Sequence, residues 1–317
     1  MTTFDVELEQ EKAVKIGQMA ERAAAIAEEL GQEPRAVRTF LTHYFRHVDA
    51  LDMEERRLED LLGLVESHYR VAVQRPPARA TIVIRTPSQS ADGWTAGGST
   101  VVQIVTDDHP FLVDSVSMEV LRQGWSIREV FHPQFLVRRD LTGTLRSLVQ
   151  ADEAQDDPAV TPESWMHLEV LPPARTDLDA EALSGALQDG LREVLRLVGE
   201  VVQDWGKMRD RSAEAIDLLS RPELVGGRDQ EAVLARELLA WFNDNHFTFL
   251  GYREYRLVSE GDQPRLRPVA GTGLGLLRPR PTPNRCPASP CCGRRRQRCC
   301  AAPATTSRAT GARRSWR

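Results

Sequence analysis

"VVQIVTDDHPFLVDSVSMEVLRQGWSIREV", residues 101–130, decides the fold. It opens on an apolar run, Val101–Val105, suited to the centre of a sheet. A polar turn, "TDDHP", follows, and then "PFLVDSVSMEVLRQG" reads as a helix with Pro110 in its first turn and Gly124 just past its end. "WSIREVFHPQFLVRRD" is then extended, with "TG" at 142–143 able to turn it. "WMHLEVL" (165–171) alternates Met166, Leu168 and Val170 with His167 and Glu169, the pattern of a half-buried strand. A long helix, Leu178–Trp205, follows with Leu183, Leu187, Leu191, Val194, Val198, Val201 and Trp205 on one stripe. Strand, helix, extended pair, strand, helix predicts an α+β, ferredoxin-like βαββαβ sandwich.

Upstream, residues 1–77 read as a helical module. A charged helix over 5–31 ends at Gly31, and Pro34 opens a second that carries Val37, Phe40, Leu41, Tyr44, Phe45 and Val48 as an amphipathic stripe. A third covers Glu54–Tyr69. "TIVIR" (81–85) is a short strand and "SQSADGWTAGGS" a loop. An acidic loop, "ADEAQDDPAVTPE", precedes the strand at 165. Downstream, a helix at Gln230–Asn243 and a strand "FTFLGYREYRL" (247–257) start a second sandwich unit that is incomplete within 211–277.

The 317 residues are 41% hydrophobic and 27% charged, a globular balance. No apolar run approaches the roughly 18 residues of a membrane span, and the N-terminus lacks an export signal, so a cytoplasmic protein without membrane contact is expected. The net charge of −5 conceals an asymmetry. Residues 278–317 hold 11 arginines, all five cysteines, and no Lys, Asp or Glu, which leaves the first 277 residues at −16. With no Leu, Ile, Val, Met, Phe or Tyr, this tail is expected to be disordered. A basic nucleic-acid arm and a metal site compete as readings. The missing lysines weigh against the first, and Cys-x4-Cys-Cys-x6-Cys-Cys lacks zinc spacing. Out-of-frame translation of G+C-rich DNA accounts best for the composition, so no nucleic-acid partner is expected.

The turn residues Asp107, Asp108, His109, Pro110, Phe111, Asp114 and Ser115 form the candidate site. One reading is structural, with Asp108 capping the helix. Another is ligand binding, with free N–H groups at the helix start receiving a carboxylate. Catalysis is the weakest, because only Ser115 and Ser117 are near as nucleophiles and both follow on the helix. His43 and His47 have helical metal spacing but lack the intervening protease glutamate, and "GTGLG" (271–275) lacks a third glycine and a following helix. No catalytic, metal or cofactor site is expected in this chain.

"DDHPFLVDSVSMEVLRQGWSIREV" resembles the ACT domain, whose turn runs Asp-x-Pro-Gly-Leu-Leu before a helix, a Gly and an Ile-bearing strand. Asp108, Pro110, Leu112, Val113, Leu121, Gly124 and Ile127 match, and Phe111 stands at the glycine position. With "FLTHYFRHVDALDMEERRLEDLLGLVESHYRVA", "HPQFLVRRD" and "LLAWFNDNHFTFLGYREYRL", residues 5–277 resemble the N-terminal region of the large bacterial NAD-specific glutamate dehydrogenases. The resemblance implies an ACT-like domain at 78–210, the start of a second at 211–277, and a parent enzyme that oxidises L-glutamate to 2-oxoglutarate with NAD. It implies a catalytic domain downstream, a homo-oligomer, and an amino-acid effector as partner. The expectation is an inactive regulatory and assembly region; the alternative is a free-standing amino-acid-sensing ACT protein.

Overall fold

The computed structural model describes residues 3–29, 34–150, 154, 157–174, 179–260 and 263–279. The chain divides into two units, Met1–Leu277 and Arg278–Arg317. All the elements belong to the first; the expectations for the tail, and for a stop at Gly31, lie outside the described residues.

Four helices come first: α1 (Thr3–Glu29), α2 (Pro34–Tyr44), α3 (Ala50–Glu54) and α4 (Leu58–Val73). The third predicted helix is thus two pieces. Asp49 caps α3 by accepting from Leu51 N, and a turn before Leu58 separates it from α4. Then come β1 (Thr81–Arg85), a one-turn helix α5 (Gln89–Asp92) inside the predicted loop, β2 (Thr100–Asp107), α6 (Leu112–Arg122), β3 (Ser126–Phe131), β4 (Gln134–Arg139), β5 (Leu145–Val149) and β6 (Val160–Leu171). β6 begins earlier than the acidic loop suggested. Pro162 fits because it lies beyond the last β2 pair, Asp107 with Glu163.

The sheet runs β1-β2-β6-β4-β5, and β3 also pairs with β6. All pairings are antiparallel. β3 and β4 lie end to end along one edge of β6 and meet at the Phe131–Gln134 turn: Phe131 faces His167, and Gln134 faces Ser164. β2 and the β3–β4 pair therefore flank β6, as a split β-α-β crossover requires. One expectation is corrected. Among the described residues no strand after the second long helix joins this sheet, and β1, earlier in the chain, takes the edge beside β2.

Both faces of the sheet are covered. Val102, Ile104, Met166, Leu168 and Val170 pack with Leu112, Val116 and Val120 of α6 and with Leu187 and Leu191 of α7 (Ala180–Leu219). On the other face Val101, Val105, Phe131, Phe135 and Trp165 pack with Phe40, Tyr44, Leu61, Leu64 and Tyr69. β6 is therefore not half-buried: His167 and Glu169 are as enclosed as Met166, because the helical module covers them. This double burial gives β2 and β6 their position as central strands.

α7 spans 40 residues, beyond the predicted end at Trp205. Asp179 caps it through Ala182 N, and no breaker arises before Pro222. Its C-terminal half packs on α9 (Asp229–Trp241), which follows the short α8 (Pro222–Val225), and on β7 (Gly251–Tyr252) and β10 (Leu274–Gly275). β8 (Tyr255–Glu260) and β9 (Gln263–Pro268) form a separate hairpin, so the predicted strand over 247–257 is broken in two.

Candidate functional site

The turn between β2 and α6 holds together through its side chains rather than through a cap. Phe111 occupies the N-cap position of α6 with φ +70°, and no side chain caps the helix. The left-handed region is where a glycine sits at no steric cost. The reading of Asp108 as the cap is thus corrected. Its carboxylate accepts from Ser164 Oγ at 2.5 Å and from Gln134 Nε2 at 3.0 Å, which ties the turn to β6 and β4 instead. Asp108 N adds a bond to Pro162 O.

His132 completes this cluster: its Nε2 lies 2.9 Å from Ser164 Oγ. A carboxylate only accepts, so Ser164 donates to Asp108 and receives the His132 Nε2–H. Serine is thus in the middle, whereas nucleophile activation needs histidine between serine and carboxylate. Burial holds the His132 pKa below its ordinary value against the raising influence of Asp108. The three form a structural clasp with no free base. Sequence reading missed His132 and Ser164, which lie 24 and 56 positions from Asp108 and carry no local motif. Of the other candidates, His109 is half-exposed, Pro110 and Asp114 are exposed, and Ser115 N simply makes the first helical bond to Phe111 O.

Asp107 belongs to a second cluster. Arg75, at the exit of α4, donates to Asp107 at 2.6 Å and to Glu163 at 2.9 Å. Arg139 forks onto both Glu163 oxygens, and Trp165 Nε1 donates to one. Glu163 is fully buried, and two guanidinium groups against two carboxylates balance the charge. A network so satisfied locks the helical module to the sheet and leaves nothing to react.

A third polar layer crosses the interface between module and sheet. Arg85 Nη2 donates to Ser67 Oγ, Ser67 to Gln103 Oε1, and Gln103 Nε2 faces His167 Nδ1. Glu169 lies 3.7 Å beyond His167 and is forked by Arg56. Burial pushes the Glu169 carboxyl up, but His167 and Arg56 more than offset it and hold it at about 2. Beside it, His68 receives the Tyr44 hydroxyl proton on Nδ1 and faces Ile104 O through Nε2. Burial, with His167 adding to it, lowers His68 to about 3, so it is neutral.

His43 and His47 do not converge. His43 Nε2 reaches Gln134 O at 2.7 Å and pins α2 to β4, while His47 faces solvent. Among the described residues no three His, Cys, Asp or Glu side chains gather as a metal site. The glycines of "GTGLG" serve packing. A Cβ on Gly273 would stand 2.1 Å from Leu277 O, and one on Gly275 2.4 Å from Leu250 O. No described helix follows them, so they do not fit a dinucleotide phosphate.

Comparison with known proteins agrees with this architecture. The family model for the glutamate dehydrogenase ACT1 domain matches residues 40–187, from within α2 to the early turns of α7. This segment is a glutamate dehydrogenase ACT1 domain. The chain that carries the ACT1 domain is 32% identical over 259 residues to the NAD-specific glutamate dehydrogenase of Pseudomonas aeruginosa, across 80% of this chain and 15% of that protein. It is 31% identical over 244 residues to the same enzyme of Halomonas elongata, across 76% and 14%. To that of Mycobacterium tuberculosis it is 28% identical over 228 residues, across 69% and 12%. The chain thus spans at most 15% of the length of these curated relatives. Among the described residues no helix is long and apolar enough to cross a membrane.

Proposed function

We propose that this chain is the N-terminal regulatory and assembly region of an NAD-dependent glutamate dehydrogenase. The parent would convert L-glutamate, NAD and water to 2-oxoglutarate, ammonium and NADH, in the cytoplasm and as a homo-oligomer. The similarity that runs through 80% of this chain yet only 15% of a relative carries the reading. The clusters at the β2–α6 turn support it, since their charges are spent on one another. In this reading β2, α6, β3, β6 and α7 are the ACT-like unit, β7 to β10 begin a second, and the Asp107–Ser115 turn is a structural joint. NAD and glutamate would be held by other parts of the parent.

Two assays test it. The purified chain is expected to form no NADH from glutamate and NAD. A chimera in which residues 5–277 replace the matching segment of the Pseudomonas aeruginosa enzyme is expected to assemble and turn over. NADH formation by the chain alone, or a chimera that fails to assemble, would overturn the proposal.

A further inference from the structure

Behind the edge strand β1, away from the β2–α6 turn, a cleft of about 680 Å³ opens between α4 and β1, with α5 and Trp94 along its side. That volume lies within the range of small-molecule sites. Its wall is built deliberately close: Gly63 of α4 lets the Trp94 ring lie on the helix, where a Cβ would come within 2.2 Å of it. Two polar atoms of its lining, Thr81 Oγ1 and Arg85 Nε, are buried without a partner among the described residues. Buried donors of this kind are normally satisfied.

Arg85 is held for a purpose that its own contacts leave incomplete. Nη1 pairs with Asp92 at 3.2 Å, Nη2 donates to Ser67 at 2.7 Å, and the guanidinium lies over Trp94 at 5.4 Å. The Nε–H edge remains as a fixed, unspent donor. The charges around it are mixed. Arg70 pairs with Glu66 and Arg85 with Asp92, so the lining carries two cations and two carboxylates. A phosphate dianion would face both carboxylates, whereas a ligand with one carboxylate and one ammonium group meets both signs.

We propose that this cleft binds a small zwitterion of the free amino-acid class, with its carboxylate on Arg85 Nε and its ammonium toward Glu66 or Asp92. Thr81 supplies a hydroxyl that can accept or donate. The proposal deepens the regulatory reading above and rests on it only for what binding would do in the parent enzyme.

The test uses the full 317-residue chain. Thermal shift and calorimetry are run against each free amino acid at up to about 10 mM, with propionate, ethylamine and inorganic phosphate as controls. At least one amino acid is expected to raise the melting temperature and to titrate. Thr81→Val, which keeps the shape, and Ala91→Trp, which fills the mouth, are expected to weaken it by about tenfold or more without lowering the ligand-free melting temperature. Propionate and phosphate are expected to bind at least about tenfold more weakly than the amino acid. Absence of binding by every amino acid, affinity unchanged in both variants, or phosphate matching the best amino acid would each overturn the site. None of these results touches the NADH readout of the chimera, so the two proposals fail separately.

Discussion

Phe111 holds φ +70° where the chain enters α6, a backbone region that suits glycine and strains a residue with a side chain. Its ring is half-exposed, so little packing is lost when it is removed. Phe111→Gly is therefore expected to stabilise the chain by about 1 kcal/mol in urea unfolding. No gain would mean that ring contacts offset the strain. Glu163 is the opposite case. Its carboxylate satisfies Arg75, Arg139 and Trp165 at once, and Glu163→Gln leaves two buried guanidinium groups facing Asp107 alone. A loss of about 3–5 kcal/mol is expected in the same assay, and a change below about 1 kcal/mol would show that water reaches the cluster.

At the scale of elements, α4 gives a prediction of sign. Helix propensity alone says Gly63→Ala should stabilise by about 1 kcal/mol. The Trp94 ring stands where the new methyl would go, so a net loss is expected instead, with altered tryptophan fluorescence. The elements themselves were largely legible: the stripe Phe40, Leu41, Tyr44 is buried as periodicity demands, and the all-apolar run of β2 lies between two layers. β6 was misjudged for a physical reason. Alternation of Met166, Leu168 and Val170 with His167 and Glu169 looks the same whether the polar face meets water or a second polar layer. The matching signal was on α2 and α4, where Tyr44, Ser67 and His68 interrupt apolar faces. The site was less legible than the fold, because Asp108 takes its partners from Gln134 and Ser164, and sequence spacing does not show which distant residues a turn meets.

For the whole molecule, the buried layer between module and sheet predicts acid sensitivity. His68 is held at about 3 against an ordinary 6.5, so the unfolded chain binds the extra proton between those values. Stability contributed there is complete above pH 6.5 and falls as pH drops, by about 2 kcal/mol at pH 5. His167 shifts in the same direction, and Glu169, held at about 2 against 4.5, adds a further loss as pH falls from 4.5 toward 2. Urea unfolding at pH 7 and pH 5 measures this; His68→Gln should show a smaller difference, and an equal one would relocate the effect. β6 also carries a consequence in time. Every other strand of the six-stranded sheet precedes it in the chain, yet β2, β3 and β4 all pair with it. At about 5–20 residues per second, a ribosome that has finished Phe40 needs about 7–26 s more to reach Val170. Through that interval the apolar faces of α2 and α4 are already made and the central strand they pack on is not, so the nascent chain waits, exposed, for its last piece.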